Sequence, residues 1–66
     1  MKYLIFTEFN GIKNYVRRIR IGKYTTSITM YTTNHLKAYD FMTQKKASYH
    51  LNRMGIGKAI ETQKQN

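Results

Sequence analysis

The sequence has no cysteine, no proline and no tryptophan, and only three acidic residues among its 66. Without cysteine there is neither a disulfide scaffold nor a thiolate zinc site. Three carboxylates and two histidines would have to gather most of their number in one place to cage a metal, so a chain with no metal and no cofactor is expected. No proline and no Ser/Gly-rich stretch divides the chain, and no segment repeats at a fixed period, which implies one small domain. A chain this short buries only about 60% of the surface its unfolded form exposes, leaving little core to enclose a substrate, and this argues against an enzyme. Long apolar runs are missing too. Tyr3-Leu4-Ile5-Phe6 is broken by Thr7-Glu8, short of the roughly 7 to 15 apolar residues of a signal peptide and the roughly 20 of a membrane span. The expectation is a soluble protein with no membrane partner, in the cytoplasm, where the lack of cysteine fits a reducing compartment.

What is present is charge of one sign. Lys and Arg number 12, the formal net charge is +9 and the sequence pI is about 10.1. Apolar residues still make up 41% of the chain, with six Tyr and three Phe, so it folds rather than remaining disordered. Residues 2–32 are rich in Tyr, Phe, Ile, Val and Thr, and they contain two turn signals, Asn10-Gly11 and Gly22-Lys23. Their spacing predicts strands over 2–9, 12–21 and 24–32. A two-residue turn at Asn10-Gly11 pairs Phe9 with Ile12 and Glu8 with Lys13. A four-residue loop would pair Glu8 with Arg17, and both registers send the same side chains to the same face. Strict alternation then collects Leu4, Phe6, Tyr15, Ile19, Ile21, Tyr24, Ile28 and Met30 on one face, expected to be the core. The other face receives Tyr3, Ile5, Thr7, Phe9, Ile12, Val16, Arg18, Arg20, Thr25, Ser27, Thr29 and Tyr31, and is expected to be open.

After the strands, Thr33 or Asn34 is placed to cap a short helical piece running to Tyr39, and Thr43 to cap a second over 44–54. In the second, Ala47, Leu51 and Met54 recur at helical spacing with His50 alongside, giving an apolar stripe to lie on the sheet. Gly55 followed by Ile56 suits a helix ending in which Ile56 folds back on Leu51, while Leu36 and Phe41 fill the space between sheet and helix. The fold class expected is therefore α+β: a three-stranded antiparallel meander covered on one face by a C-terminal helix. The domain spans 1–56, and 57–66 forms a polar tail that frays.

The chemistry concentrates on the middle strand. Arg17, Arg18 and Arg20 fall within four positions, and alternation sends Arg18 and Arg20 to the face carrying Tyr3, Phe9 and Tyr31. Guanidinium groups fork onto phosphates or guanine edges, and aromatic rings stack on bases, so this mixture suits nucleic acid. Lys46 and Arg53 extend the charge onto the helix. With so few acids to neutralise it, an anionic partner is the economical account of the surplus. His35 and His50 stand 15 residues apart with no second ligand at metal spacing. Gly55-Ile56-Gly57-Lys58 lacks the full spacing of a phosphate-cradling loop.

Three strands, an Arg-bearing middle strand and the segment Phe41-Met42-Thr43-Gln44-Lys45-Lys46-Ala47 followed by Leu51 resemble the AP2-like arm-type DNA-binding domains at the start of phage and transposon integrases. Their helix commonly opens with a Phe-x-Thr-x-x-x-Ala phrase. The resemblance covers residues 2–54. It implies a sheet laid into the major groove with Arg18 and Arg20 reaching bases. The same strand and helix order is similar to small accessory proteins of phages, several of which bind and block a host protein. Together these features lead to the expectation of a non-enzymatic basic protein that binds nucleic acid, DNA before RNA, in the cytoplasm of a bacterial or phage-infected cell. A phage or mobile-element protein that modulates a host protein is the alternative.

Overall fold

Asn10 and Gly11 both take positive φ, 52° and 76°, the combination a two-residue type I′ turn requires, and Phe9 pairs with Ile12 across it. The turn fixes the register of the first hairpin, β1 (Lys2–Phe9) with β2 (Ile12–Ile21), in the computed structural model, which describes residues 1–64. Then follow β3 (Thr26–Thr32), a single 3₁₀ turn (His35–Lys37), helix α1 (Gln44–Met54) and a fourth strand, β4 (Ala59–Gln63). All strand pairs are antiparallel, in the order β3-β2-β1-β4, and α1 lies against one face. This is the expected α+β class with one strand more. Ala59–Gln63, read from sequence as part of a fraying tail, pairs with the free edge of β1, Ile60 opposite Ile5 and Glu61 opposite Leu4.

The helix side of the sheet is not the side strict alternation selects. The core cluster joins Ile5, Val16, Phe41 and Ala47, with Tyr3, Ile19, Ile28, Leu51, Met54 and Ile60 packed around it. Val16 and Ile19 share a face although three positions separate them, because the β2–β3 ladder is irregular. Val16 pairs with Tyr31, Arg18 with Met30 and Ile19 with Ile28, which leaves Arg17 as an inserted residue on β2 and Thr29 as one on β3. On the turn side of the irregularity the expected faces hold, with Ile19, Ile21 and Ile28 on one side and Arg18, Arg20 and Ser27 on the other. On the far side of it they invert. Tyr3, Ile5 and Val16 face the helix, whereas Leu4, Phe6, Tyr15 and Met30 face away from it. Leu4 and Tyr15 are nevertheless buried there. The 3₁₀ turn is held on that side, with His35 Nδ1 3.1 Å from Gln63 Oε1.

The β1–β2 ladder stops at Phe6 opposite Tyr15, and beyond it the two strands part. The connection to α1 fills the gap. Tyr39 N–H donates to the Val16 carbonyl at 2.8 Å, Phe41 N–H to the Tyr3 carbonyl at 2.9 Å, and Tyr3 N–H to Asp40 Oδ1 at 3.2 Å. The chain thereby passes from the His35 side to the helix side, and Phe41 arrives in the core against the Tyr39 and His50 rings. Leu36, expected beside it, is exposed.

Thr43 caps α1 as the sequence predicts, its Oγ1 accepting from Lys46 N–H at 3.1 Å. The other end departs from expectation. Gly55 has φ 93° and ψ −167°, a conformation essentially reserved for glycine but outside the left-handed helical region, so the chain leaves the helix without folding back and Ile56 points into solvent instead of onto Leu51. The second hairpin also differs. Gly22 N–H donates to the Thr25 carbonyl at 2.8 Å across a four-residue loop, and this takes Tyr24 out of β3 and exposes it.

Candidate nucleic-acid interface

Where β1 parts from β2, residues 16–21 of β2 pair with β3 alone and make a two-stranded ribbon. The face of this ribbon towards the helix is covered by Ile19 and Ile28. Its other face carries Arg18 opposite Met30 and Arg20 opposite Ser27, and the half-buried Arg17 is inserted in the strand next to Arg18. Arg18 and Arg20 are exposed, and among the described residues neither makes a hydrogen bond or ion pair. Lys23 and Tyr24 project from the loop at the ribbon's end, the Lys23 ammonium 5.4 Å from the Tyr24 ring. Both were missed as site residues in the sequence, because a two-residue turn at Gly22-Lys23 would have put Tyr24 in the core.

Two of the three carboxylates are engaged with other partners, and the third, Glu8, is exposed next to the β1–β2 turn. Asp40 accepts the N–H groups of Tyr3 and Met42. Glu61 takes Lys13 in an ion pair at 2.5 Å, the Tyr15 hydroxyl at 3.0 Å and the Gln63 amide at 2.6 Å. Burial alone would raise the Glu61 carboxyl, but donation from Lys13, Gln63 and Tyr15 outweighs it and leaves the group below its ordinary value. Burial and the same carboxylate push the Tyr15 hydroxyl up. Lys13 is therefore a neutralised cation, whereas Arg18 and Arg20, on the same side of the sheet, have no such partner among the described residues.

The other expected contacts do not join them. Tyr3 packs into the helix-side core, and Phe9 and Tyr31 also lie on the helix side, where they line a shallow groove with Thr7 and Asn14 near the β1–β2 turn. Lys46 is in the first turn of α1, on the helix side. Arg53 is half-buried and structural. Its Nη2 donates to the carbonyls of Gly22 and of Thr25, the latter at 2.9 Å, its Nη1 to the Tyr49 hydroxyl at 2.7 Å, and its guanidinium stands 5.1 Å from the Tyr49 ring. Next to it, Thr26 Oγ1 and His50 Nδ1 are 2.9 Å apart. Arg53 and His50 thus hold the ribbon's loop to the last turns of the helix. Nothing in the sequence separates such an Arg from a solvated one.

No three His, Asp or Glu side chains come together to hold a metal among the described residues, and no helix among them is long and apolar enough to cross a membrane. Comparison with known proteins finds no matching family model, curated protein or solved structure.

Proposed function

We propose that this chain is a non-enzymatic nucleic-acid-binding protein whose partner is duplex DNA, held on the exposed face of the β2–β3 ribbon. The supporting observation is the ridge of Arg17, Arg18 and Arg20, continued by Lys23 at the ribbon's end, on a chain whose Asp40 and Glu61 are committed to other partners. A two-stranded ribbon is narrow enough for the major groove, and guanidinium forks suit phosphates and guanine edges. Duplex is favoured over single strand because the ribbon's loop carries one exposed ring, Tyr24, and the exposed Tyr49 ring nearby belongs to α1 and packs on Arg53, whereas single-strand binders stack successive bases on several rings. Phe9, Tyr31 and Tyr3 take no part in this interface, and Arg53 serves it only by fixing the loop.

Duplex titration across salt tests the reading. Neutralising four phosphates gives a slope of log K against log salt of about −3.6, and each arginine replaced by alanine removes about 1 from its magnitude. Lys46→Ala, on the other side of the sheet, leaves the slope unchanged. Absence of duplex binding at low salt refutes the proposal, as does a folded double variant Arg18→Ala, Arg20→Ala that binds with the wild-type slope.

A further inference from the structure

β3 stands at one end of the sheet, and among the described residues no strand pairs with its outer edge. Its residues, Thr26–Thr32, include no charged side chain and no proline, and Ser27, Thr29, Met30 and Tyr31 are exposed. Open edges are ordinarily blunted by lysine, proline, short length or a bulge, because a row of unused backbone N–H and C=O groups is a template for another strand. Of these devices β3 has the irregularity at Thr29 alone. The opposite edge, β4, is shorter, with 5 residues, and it stands between Lys58 and Lys64. Beside the open edge lies the arginine ridge. Arg20 pairs with Ser27 and Arg18 with Met30, so each guanidinium is one strand in from the edge, and Lys23 sits in the loop just before β3.

We propose that the β3 edge takes an extended acidic segment of another protein as an added strand, its alternate carboxylates directed at Arg18 and Arg20. Backbone and charge each define part of the occupant. The edge offers its hydrogen bonds to a chain in extended form, which selects a strand over a helix or a folded acidic surface. A strand added there lies about 4.8 Å outside β3 and about 10 Å from β2, and with only Ser27 between them the side chains of Arg20 and of a glutamate close that gap. Because side chains alternate along a strand, the carboxylates recur at every second residue. The intervening side chains fall on the helix side, next to Ile28 and Tyr31, where β-branched residues fit. A second copy is the wrong occupant, since β3 carries no acid and two such edges would set the ridges of two +9 chains against each other. Nucleic acid has no extended amide backbone to pair with this edge. The inference stands whether or not duplex binds the ribbon face, and an occupant of either kind draws on the same guanidinium groups.

The probe is a blocked peptide of alternating glutamate and valine, about eight residues long to match a strand, added to the full chain at neutral pH without nucleic acid. Binding should slow hydrogen exchange of amides in β3 and leave those of β4 unchanged. Raising salt should weaken it. Arg18→Ala and Arg20→Ala, each with wild-type far-UV circular dichroism, should each lower affinity by up to about fivefold, the range of an exposed ion pair. The backbone contact has its own check. Methylating the peptide nitrogens of one alternate set, those facing β3, should abolish binding, and methylating the other set should spare it. A peptide of alternating lysine and valine should not bind. Absence of binding by the glutamate peptide at low salt overturns the inference. So does equal affinity of the two methylated peptides, which would reduce the contact to charge alone, and so does protection that appears on β4, or an affinity unchanged in the folded double variant Arg18→Ala, Arg20→Ala.

Discussion

Deleting Arg17 and Thr29 together is a direct test of the irregular β2–β3 ladder. With both inserted residues removed, Val16, Arg18, Ile19, Arg20 and Ile21 alternate regularly along one strand, and Ile28, Met30 and Tyr31 along the other. Each keeps the face it now occupies and the partner it now has. Val16, Ile19 and Ile28 therefore remain on the helix side. The cost is confined to lost local twist, so the expected change in stability is smaller than the loss of one buried side chain, about 1.5 to 3 kcal/mol. A regular wild-type ladder makes the opposite forecast. The same deletions would then throw Ile19 and Ile28 off the core face, and at about 1.5 to 3 kcal/mol for each buried side chain the loss would be about 3 to 6 kcal/mol. A domain of this size has about 3 to 10 kcal/mol in total, so the two cases are far apart. Urea unfolding followed by far-UV circular dichroism distinguishes them, because small domains have slopes near 1 kcal/mol per molar urea. A double-deletion variant that is unfolded in buffer, or whose midpoint falls by about 3 M or more, refutes the assignment of Arg17 and Thr29 as inserted residues.

Phe41, 2% exposed at the point where the connection enters the core, is the side chain whose truncation should be felt most. Phe41→Ala is expected to cost about 3 to 5 kcal/mol in urea unfolding, against about 2 for the half-buried Leu51→Ala and no measurable change for the exposed Leu36→Ala. Arg53→Lys keeps the charge but loses the fork onto Gly22 and Thr25, so it should lower stability by about 1 to 2 kcal/mol while the slope of duplex binding with salt stays at the wild-type value; a smaller slope would make Arg53 a phosphate contact. Burial and the neighbouring Arg53 hold His50 below its ordinary value of 6.5, so the unfolded chain takes up a proton there before the folded chain does. Its contribution is complete above pH 6.5 and is lost as pH falls through the lower folded value. Unfolding midpoints followed downward from pH 7 should therefore fall in wild type and hold steadier in His50→Gln, and parallel curves would remove His50 as the cause.

Much of this architecture is legible in the residues. Asn10-Gly11 specifies its turn because few other pairs tolerate two positive φ angles, and Thr43 specifies the start of α1 because its hydroxyl meets a free N–H. The exposed position of Arg18 and Arg20 followed from alternation with Ile19 and Ile21 and needed no tertiary information. Other features depend on partners distant in sequence. Ala59–Gln63 is mostly polar and becomes a strand because β1 has a free edge, and Ile60 is drawn inward opposite Ile5. Glu61 gives no sign in sequence of gathering Lys13, Tyr15 and Gln63. Gly55 was read as a helix stop, which it is, but a glycine admits more than one way out of a helix, and the one taken exposes Ile56.

The inversion of faces has a different origin, since its signal was present and outvoted. Apolar residues at 16, 19 and 21 are spaced by three and then two, a spacing that a regular strand cannot place on one face and a strand with one inserted residue can. Counting strictly by two instead divided the aliphatic residues between both sides and put Tyr3, Phe9 and Tyr31 beside the arginines. Once Arg17 is recognised as inserted, Ile5, Val16, Ile19 and Ile28 form one continuous wall under α1. The same shift separates two surfaces by physical necessity, because side chains on either side of an inserted residue exchange faces: Arg18 and Arg20 lie on one face of the sheet, and the uncharged groove of Phe9 and Tyr31 lies on the other.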